Sequence, residues 1–208
     1  YEIGSGLVGS EMCIRDSYYH DVRKKRTQDL AAYNTNVLMH ILESFNDDLA
    51  VSGLLSDSNI DAVLKRHEDT QKFMFLQTWS NSYWTTEDEA DAQGMLKSEL
   101  IPVNDLCLFT SAVMLSLMEC FDLRKLMWLL DAYQHGNVYV SQRALIGIVF
   151  ALHIHTHRLD LYPEIANRLK LLNEENSFDE DLVRIYRQLL LCQETEKIDK
   201  KMREEICL

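Results

Sequence analysis

Three histidines and one aspartate give the spacing in this sequence that comes nearest to a metal-binding pattern. His153, His155 and His157 alternate along the chain, and Asp160 follows three residues later. If this stretch is helical, His153 and His157 lie four residues apart on one face, as zinc ligands can. A metal-dependent enzyme or metal sensor that uses His153, His157 and Asp160 is therefore one function to consider, beside a protein-binding adaptor and a structural spacer within a larger protein.

The surrounding sequence argues against a metal at these histidines. No Glu follows the first His as in a helical zinc-protease motif, and no Cys or further His stands at ligand spacing. The histidines end a helical run, where they interact favourably with the last carbonyl groups. Since a Gly-rich phosphate loop and a nucleophile elbow are also missing, we predict a non-enzymatic protein with no catalytic residue, metal ligand or cofactor.

The helix that ends in this histidine run repeats a pattern seen earlier in the chain. Residues 104–121 are apolar on every face, which is typical of a helix that is buried on both sides or spans a membrane. A span needs about 20 apolar residues, and Asp105 and Glu119 interrupt this run. We therefore predict a buried helix that begins at the cap residue Asn104, and no membrane span.

A second, one-faced helix is predicted directly after the first. Asp122 is expected to cap it, and apolar residues recur three and four positions apart through Tyr133. The short turn forces the two helices into an antiparallel hairpin. Gly136 is expected to end the second helix in the left-handed conformation.

The same order then recurs. An apolar run around Gly147, which predicts a close approach between helices, is followed by a one-faced helix that begins near Pro163. A buried helix followed by a one-faced helix, twice, at a spacing of roughly thirty residues is typical of an α-solenoid. We predict an all-α fold of stacked antiparallel helix pairs, HEAT/TPR-like, with a plain helical bundle as the alternative.

More helices are predicted on either side of these pairs. One runs from about Gln28 to Phe45, one follows from Ile60, and a short one ends at Lys97 and begins with a capping box of Thr86 and Glu89. The aromatic residues from Trp79 to Trp84 are interpreted as packing residues rather than a ligand platform. A long helix follows Ser177 and keeps an apolar edge at the residues Ile198, Met202 and Ile206.

Composition narrows the class of partner. The net charge of −12 would repel a phosphate backbone, so we predict no nucleic-acid binding. The five cysteines show no paired or metal-ligand spacing, which indicates small core residues in a reducing compartment. We expect a cytoplasmic protein that binds another protein or a peptide.

The two ends of the sequence do not match its interior. Residues 1–17 contain SGLVGSEMCIRDS, which resembles the translated read-through of a sequencing adapter. We expect this segment to be a non-native, disordered artefact, and residues 18–208 to be a fragment of one helical-repeat domain. We also expect the helix that covers the last apolar edge to belong to the missing continuation, with a partner-binding surface at this edge as the alternative.

Three ordered segments resemble a known family. SAVMLSLMECFDLRKLMWLLDAY, QRALIGIVFALHIHTHRLDLYPEIANRL and ETEKIDKKMREEI are similar to the middle region of large bacterial proteins labelled tetratricopeptide-repeat proteins. The resemblance covers most of residues 71–206 and implies a scaffold or adaptor for protein–protein interaction. The consensus positions of the tetratricopeptide repeat itself do not line up, so the pairs look closer to HEAT pairs.

Overall fold

The computed structural model describes residues 35–54, 57–175 and 177–206. Within these ranges the chain forms nine helices and no strand, which confirms the all-α prediction. In chain order the helices are α1 Thr35–Gly53, α2 Asp57–Ser80, α3 Thr86–Lys97, α4 Val103–Glu119, α5 Leu123–Tyr133, α6 Val138–Ile154, α7 Thr156–Leu159, α8 Pro163–Glu175 and α9 Phe178–Ile206. The predicted non-native segment 1–17 lies outside the described residues, as do the side chains of Ile198, Met202 and Ile206.

The helix pair around residue 122 forms as predicted. The Asp122 carboxylate accepts a hydrogen bond of 2.8 Å from the backbone N–H of Arg124, so it caps α5. The predicted start of α8 at Pro163 is also confirmed. Proline is favoured in a first turn, where its missing N–H would have had no helical partner.

Three predicted helix ends are wrong. The capping box of α3 is formed by Thr85 and Asp88, one residue before the predicted pair, because the sequence offers the same spacing in two frames. Helix α4 begins after Pro102, without a side-chain cap from Asn104. Gly136 has no positive φ. Helix α5 ends at Tyr133, whose carbonyl accepts from the Ser141 hydroxyl at 2.7 Å, so no left-handed residue is needed there.

Helix α1 also runs further than predicted, through the polar residues that follow Phe45. Asp48 lies in this extension and accepts hydrogen bonds from Ser44 in the preceding turn and from Arg66 of α2. Farther along, the Ser52 hydroxyl donates to the carbonyl of Asp48 at 2.6 Å. These contacts satisfy the polar groups within the helix, so the polar stretch does not end it.

The helices contact one another in two rows. In the first row α2 contacts α4, α4 contacts α6, and α6 contacts α9. In the second row α1 contacts α3, α3 contacts α5, and α5 contacts α8. Polar side chains follow the same order, since Asp131 of α5 accepts from Gln93 of α3 at 2.8 Å and from Arg168 of α8 at 2.7 Å. If the single turn α7 is left out of the count, each helix therefore packs on the second helix that follows it in the chain.

The contact between α4 and α6 is the broadest in the first row. Gly147 makes it possible, because a Cβ atom built on this residue would lie 3.1 Å from Leu129 Cδ1 and 3.2 Å from Met114 Cβ. This confirms the predicted close approach. A side chain at residue 147 would push α6 away from α4 and α5.

Aromatic rings fill the centre of the fold. Trp84, Phe109 and Trp128 lie with their ring centroids 5.2–6.3 Å apart, and all three are buried. The packing role predicted for Trp84 is therefore confirmed, whereas its neighbour Tyr83 is 65% exposed. The Trp128 indole N–H donates to the carbonyl of Ala92 at 2.9 Å, which satisfies its one polar atom.

Candidate protein-binding groove

The histidine run does not stay on one helix. Helix α6 ends at Ile154, and His155 lies between α6 and α7 as the cap residue of both. His155 is buried, and its Nε2–H donates to the carbonyl of Leu117 at 2.6 Å. Because this residue breaks the helix, the helical register that would place His153 and His157 on one face is lost.

The other candidate ligands lie apart in contacts of their own. The His153 ring packs on Tyr186 of α9 with centroids 5.7 Å apart, and His157 lies beside Arg158 on the exposed side of α7. Asp160 is the residue that ends α7. Across the described ranges, no group of three or more His, Cys, Asp or Glu side chains is close enough to hold a metal ion.

A histidine–carboxylate pair that the sequence did not indicate lies between α2 and α4. Asp105 is fully buried, and its Oδ2 atom lies 3.3 Å from His67 Nε2, while Gln71 donates to its Oδ1 atom at 2.5 Å. Burial raises the pKa of the Asp105 carboxyl above its ordinary value of 3.8, although Gln71 and His67 act in the opposite direction.

This pair could in principle transfer protons, but its surroundings make it a contact between helices. Phe45 of α1 stacks on the His67 ring at a centroid distance of 3.7 Å. The Asp105 Oδ2 and His67 Nδ1 atoms are buried without a well-aligned hydrogen-bond partner among the described residues. With the carboxylate fully buried and the ring covered, a substrate has no direct approach to either group.

A buried lysine and serine form a second pair of reactive residue types. Lys125 Nζ donates to Ser116 Oγ at 2.8 Å and to the carbonyl of Asn81, and it lies 5.6 Å from the Trp84 ring centroid. A serine beside a lysine can act as a nucleophile, yet both residues here are fully buried. Asn81 is the first residue after α2. Lys125 and Ser116 therefore satisfy a carbonyl at the end of this helix and hold the α2–α3 link.

An accessible concave surface lies between α6 and α9, and we call it the α6/α9 groove. It consists of two cavities. The larger, about 510 Å³, is lined by Tyr133, Val138, Ser141, Gln142, Leu145, Ile146, Asp181, Arg184 and Ile185. The smaller, about 190 Å³, is lined by Val149, Leu152, His153, Thr156, Leu182 and Tyr186.

The two cavities are lined by one short stretch of α9 and by two successive stretches of α6. Helix α9 contributes neighbouring residues to both, namely 181, 184 and 185 to the larger and 182 and 186 to the smaller. Helix α6 contributes residues 138–146 to one and 149–153 to the other. Apolar side chains of α6 that line the larger cavity are in contact with solvent, including Val138 and Ile146.

Contacts with α5 hold α9 in this position. Phe178 is buried and packs on the Tyr133 ring with centroids 5.0 Å apart. The Tyr133 O–H donates to Asp181 at 3.0 Å, and Arg184 forms an ion pair of 3.2 Å with the same carboxylate. Burial, reinforced by Asp181, raises the pKa of Tyr133 to about 12.

Comparison with known proteins adds no family to these observations, because no protein-family model, curated protein or solved structure matches the chain. Among the helices of the described ranges, none has both the length and the apolar character needed to cross a bilayer. A binding groove in the helical stack is expected of such an adaptor, but its position between α6 and α9 was not predicted. The periodic residues of α9, such as Leu182 and Ile185, predict an apolar stripe, but periodicity does not reveal how much of that stripe another helix covers.

Proposed function

We propose that this chain is a non-enzymatic helical-repeat adaptor that binds a segment of another protein in the α6/α9 groove. The observation that carries the proposal is the order of contacts, in which each long helix packs on the helix two places along. Such nearest-neighbour stacking is the defining property of solenoids. It supports a HEAT/TPR-like stack over a plain bundle, in agreement with the resemblance to tetratricopeptide-repeat-labelled proteins.

The groove supports a protein ligand for a physical reason. It is open and lies between neighbouring helices of one row. Val138, Leu145, Ile146 and Ile185 form its apolar lining, which we call the apolar floor. Helical proteins bind amphipathic helices in grooves of this kind. Exposed apolar side chains that lie together on a surface indicate an interaction site more often than isolated ones do.

The alternative, a metal-dependent enzyme or sensor at His153, His157 and Asp160, receives no comparable support. His155 separates the two histidines onto different helices, and His153 packs on Tyr186. We propose that the chain works in the reducing environment of the cytoplasm, where the thiols of Cys107, Cys120 and Cys192, which form no disulfide, would stay reduced.

The function is tested with a displayed library of amphipathic helical peptides selected on the purified chain. Ile146→Glu places a charge on the apolar floor at a residue that is 37% exposed, so the fold tolerates it. We expect the selected peptides to bind this variant about tenfold more weakly, as for loss of one interface anchor.

The matched control is Leu64→Glu, at a 45% exposed leucine of α2 that does not line the groove. Its binding should equal that of the unmodified chain. Peptides that bind both variants equally well, or a library from which nothing is selected, would contradict the proposed function.

A further inference from the structure

We propose that the chain forms an antiparallel dimer, in which the solvent-facing side of α9 packs on the same side of α9 in a second copy. The residues of this surface, which we call the α9 outer face, are Val183, Arg187, Leu190, Leu191 and Glu194. None of them lines the α6/α9 groove. The inference therefore goes beyond the proposed function and does not depend on it.

Helix α9 is apolar on two sides. Leu182 and Ile185 pack against the core on the inner side. Val183, Leu190 and Leu191 are 43%, 40% and 60% exposed. At 100° per residue, the centres of these two groups lie about 150° apart around the helix axis. The fold buries one apolar side and leaves the other in contact with solvent, and exposed apolar side chains that lie together indicate an interaction site.

The charged residues of the α9 outer face are placed symmetrically about the two leucines. Arg187 lies three residues before Leu190, and Glu194 lies three residues after Leu191. Both charged side chains are exposed. The helical period places Arg187 and Glu194 within about 20° of each other around the axis. The α9 outer face therefore has a positive end, an apolar centre and a negative end.

This order of charges is self-complementary in one orientation. A twofold axis at right angles to both helices, level with the midpoint between Leu190 and Leu191, brings each leucine against its own equivalent. Arg187 of each copy then lies level with Glu194 of the other, about 5 Å from the axis along the helix. A parallel pair would instead set Arg187 against Arg187 and Glu194 against Glu194, so like charges would meet.

The neighbouring charges of α9 are compatible with the antiparallel dimer. Arg184 pairs with Asp181, and Lys197 pairs with Glu194 at 2.8 Å within the helix. A carboxylate has two oxygens, so Glu194 can accept from Lys197 and from Arg187 of the second copy together. Arg184 and Lys197 of the two copies also lie level, but about 140° around the helix separates them, so they lie on opposite sides of the interface.

The charges select a second copy over an unrelated helix. An unrelated helix would need an apolar centre flanked by the same two charges in the reverse direction, and α9 itself has this sequence when it is turned around. Because each copy contributes only one side of one helix, the interface is small. We therefore expect a reversible dimer with a Kd in the micromolar range.

Sedimentation equilibrium of the full chain, from low to high micromolar concentration, measures the association. Leu191→Glu places a carboxylate at the centre of the interface and should weaken the dimer at least tenfold. Arg187→Glu and Glu194→Arg each set like charges against one another twice in the symmetric dimer. Each should weaken the association about tenfold.

The double variant Arg187→Glu/Glu194→Arg is the decisive test of the orientation. It exchanges the two charges, so opposite charges meet again in the antiparallel dimer, and its net charge equals that of the unmodified chain. We expect its Kd to return to within about twofold of the unmodified value. In a parallel dimer neither single charge variant would weaken the association, since like charges already meet there.

The matched control is Val51→Glu, at a 57% exposed valine of α1 that is not part of the α9 outer face. It should leave the Kd unchanged, and circular dichroism checks that every variant is folded. A chain that stays monomeric at the highest concentration would show that something other than a second copy covers the α9 outer face, which overturns the proposal. A dimer that Leu191→Glu does not weaken, or that the folded double variant does not restore, overturns it as well.

The test also separates this dimer from the proposed function. If Ile146→Glu abolishes the self-association and Leu191→Glu does not, the copies meet through the α6/α9 groove and the inference is wrong. Selection of peptides that depend on Ile146 does not involve the α9 outer face. A monomeric chain that still selects such peptides would therefore refute the dimer and leave the proposed function standing.

Discussion

Replacement of Gly147 by alanine should destabilise the protein, although the same replacement in most helices stabilises it. The new Cβ would lie 3.1 Å from Leu129 Cδ1 and 3.2 Å from both Met114 Cβ and Cγ. Met114 Cβ is fixed to the backbone of α4, so it can move only if α4 and α6 separate. Leu129 is fully buried and has little room to change its rotamer.

The change in the free energy of unfolding follows from two opposing effects. Overpacking of a filled interior costs about 1–3 kcal/mol, whereas alanine in place of glycine within a helix contributes about 1 kcal/mol. For Gly147→Ala we therefore expect a loss of about 1 kcal/mol in the free energy of unfolding. In a chain of this length that loss lowers the melting temperature by about 3 °C.

Gly94→Ala is the matched control within the same protein. Its Cβ would lie 3.6 Å from Met39 Sδ, an ordinary contact distance, and Gly94 also lies inside a helix, α3. We expect it to stabilise the chain by about 1 kcal/mol. Urea unfolding followed by circular dichroism compares the two variants. If both substitutions stabilise the protein equally, the close approach of α4 and α6 at residue 147 is refuted.

Three further predictions concern buried polar groups. Because burial raises the pKa of the Asp105 carboxyl, its contribution to stability is lost as the pH rises from 3.8 through the folded-state pKa. Urea unfolding over that pH range should therefore show that the free energy of unfolding of Asp105→Asn increases relative to wild type. A difference between the two proteins that does not change with pH would contradict this prediction. Tyr133→Phe removes the donor to Asp181, so it should cost about 1 kcal/mol and speed hydrogen exchange in the first turns of α9; unchanged exchange there would argue against the anchor. Lys125→Ala should cost about 3 kcal/mol in thermal unfolding, and Lys125→Met less, because methionine keeps the packed chain; equal losses would show that packing contributes little.

Local sequence rules predict those features that depend on neighbouring residues only. Asp122 caps α5 and Pro163 begins α8, because a cap and a fixed φ act within one helical turn. The capping box of α3 was predicted one residue out of register, since Thr85 and Thr86 offer equivalent frames. The left-handed end expected at Gly136 is absent because Ser141, eight residues after Tyr133, satisfies the free carbonyl.

At the histidine run, too, neighbouring residues predict only part of the structure. The spacing of His153 and His157 implies one helical face only if the helix continues between them. Whether it continues is decided by His155, which is buried against the carbonyl of Leu117, 38 residues away in the sequence. A spacing rule contains no information about such a contact.

The sequence by itself determined the all-α class, the alternation of apolar and one-faced helices, and the small residue at position 147. These features follow from composition and from the helical period of 3.6 residues. Only the tertiary structure decided which helices contact, and therefore that Asp105 meets His67, that Lys125 meets Ser116, and that α6 and α9 line a common groove. The physical reason is that periodicity states which face of a helix is apolar, whereas burial of that face depends on distant parts of the chain.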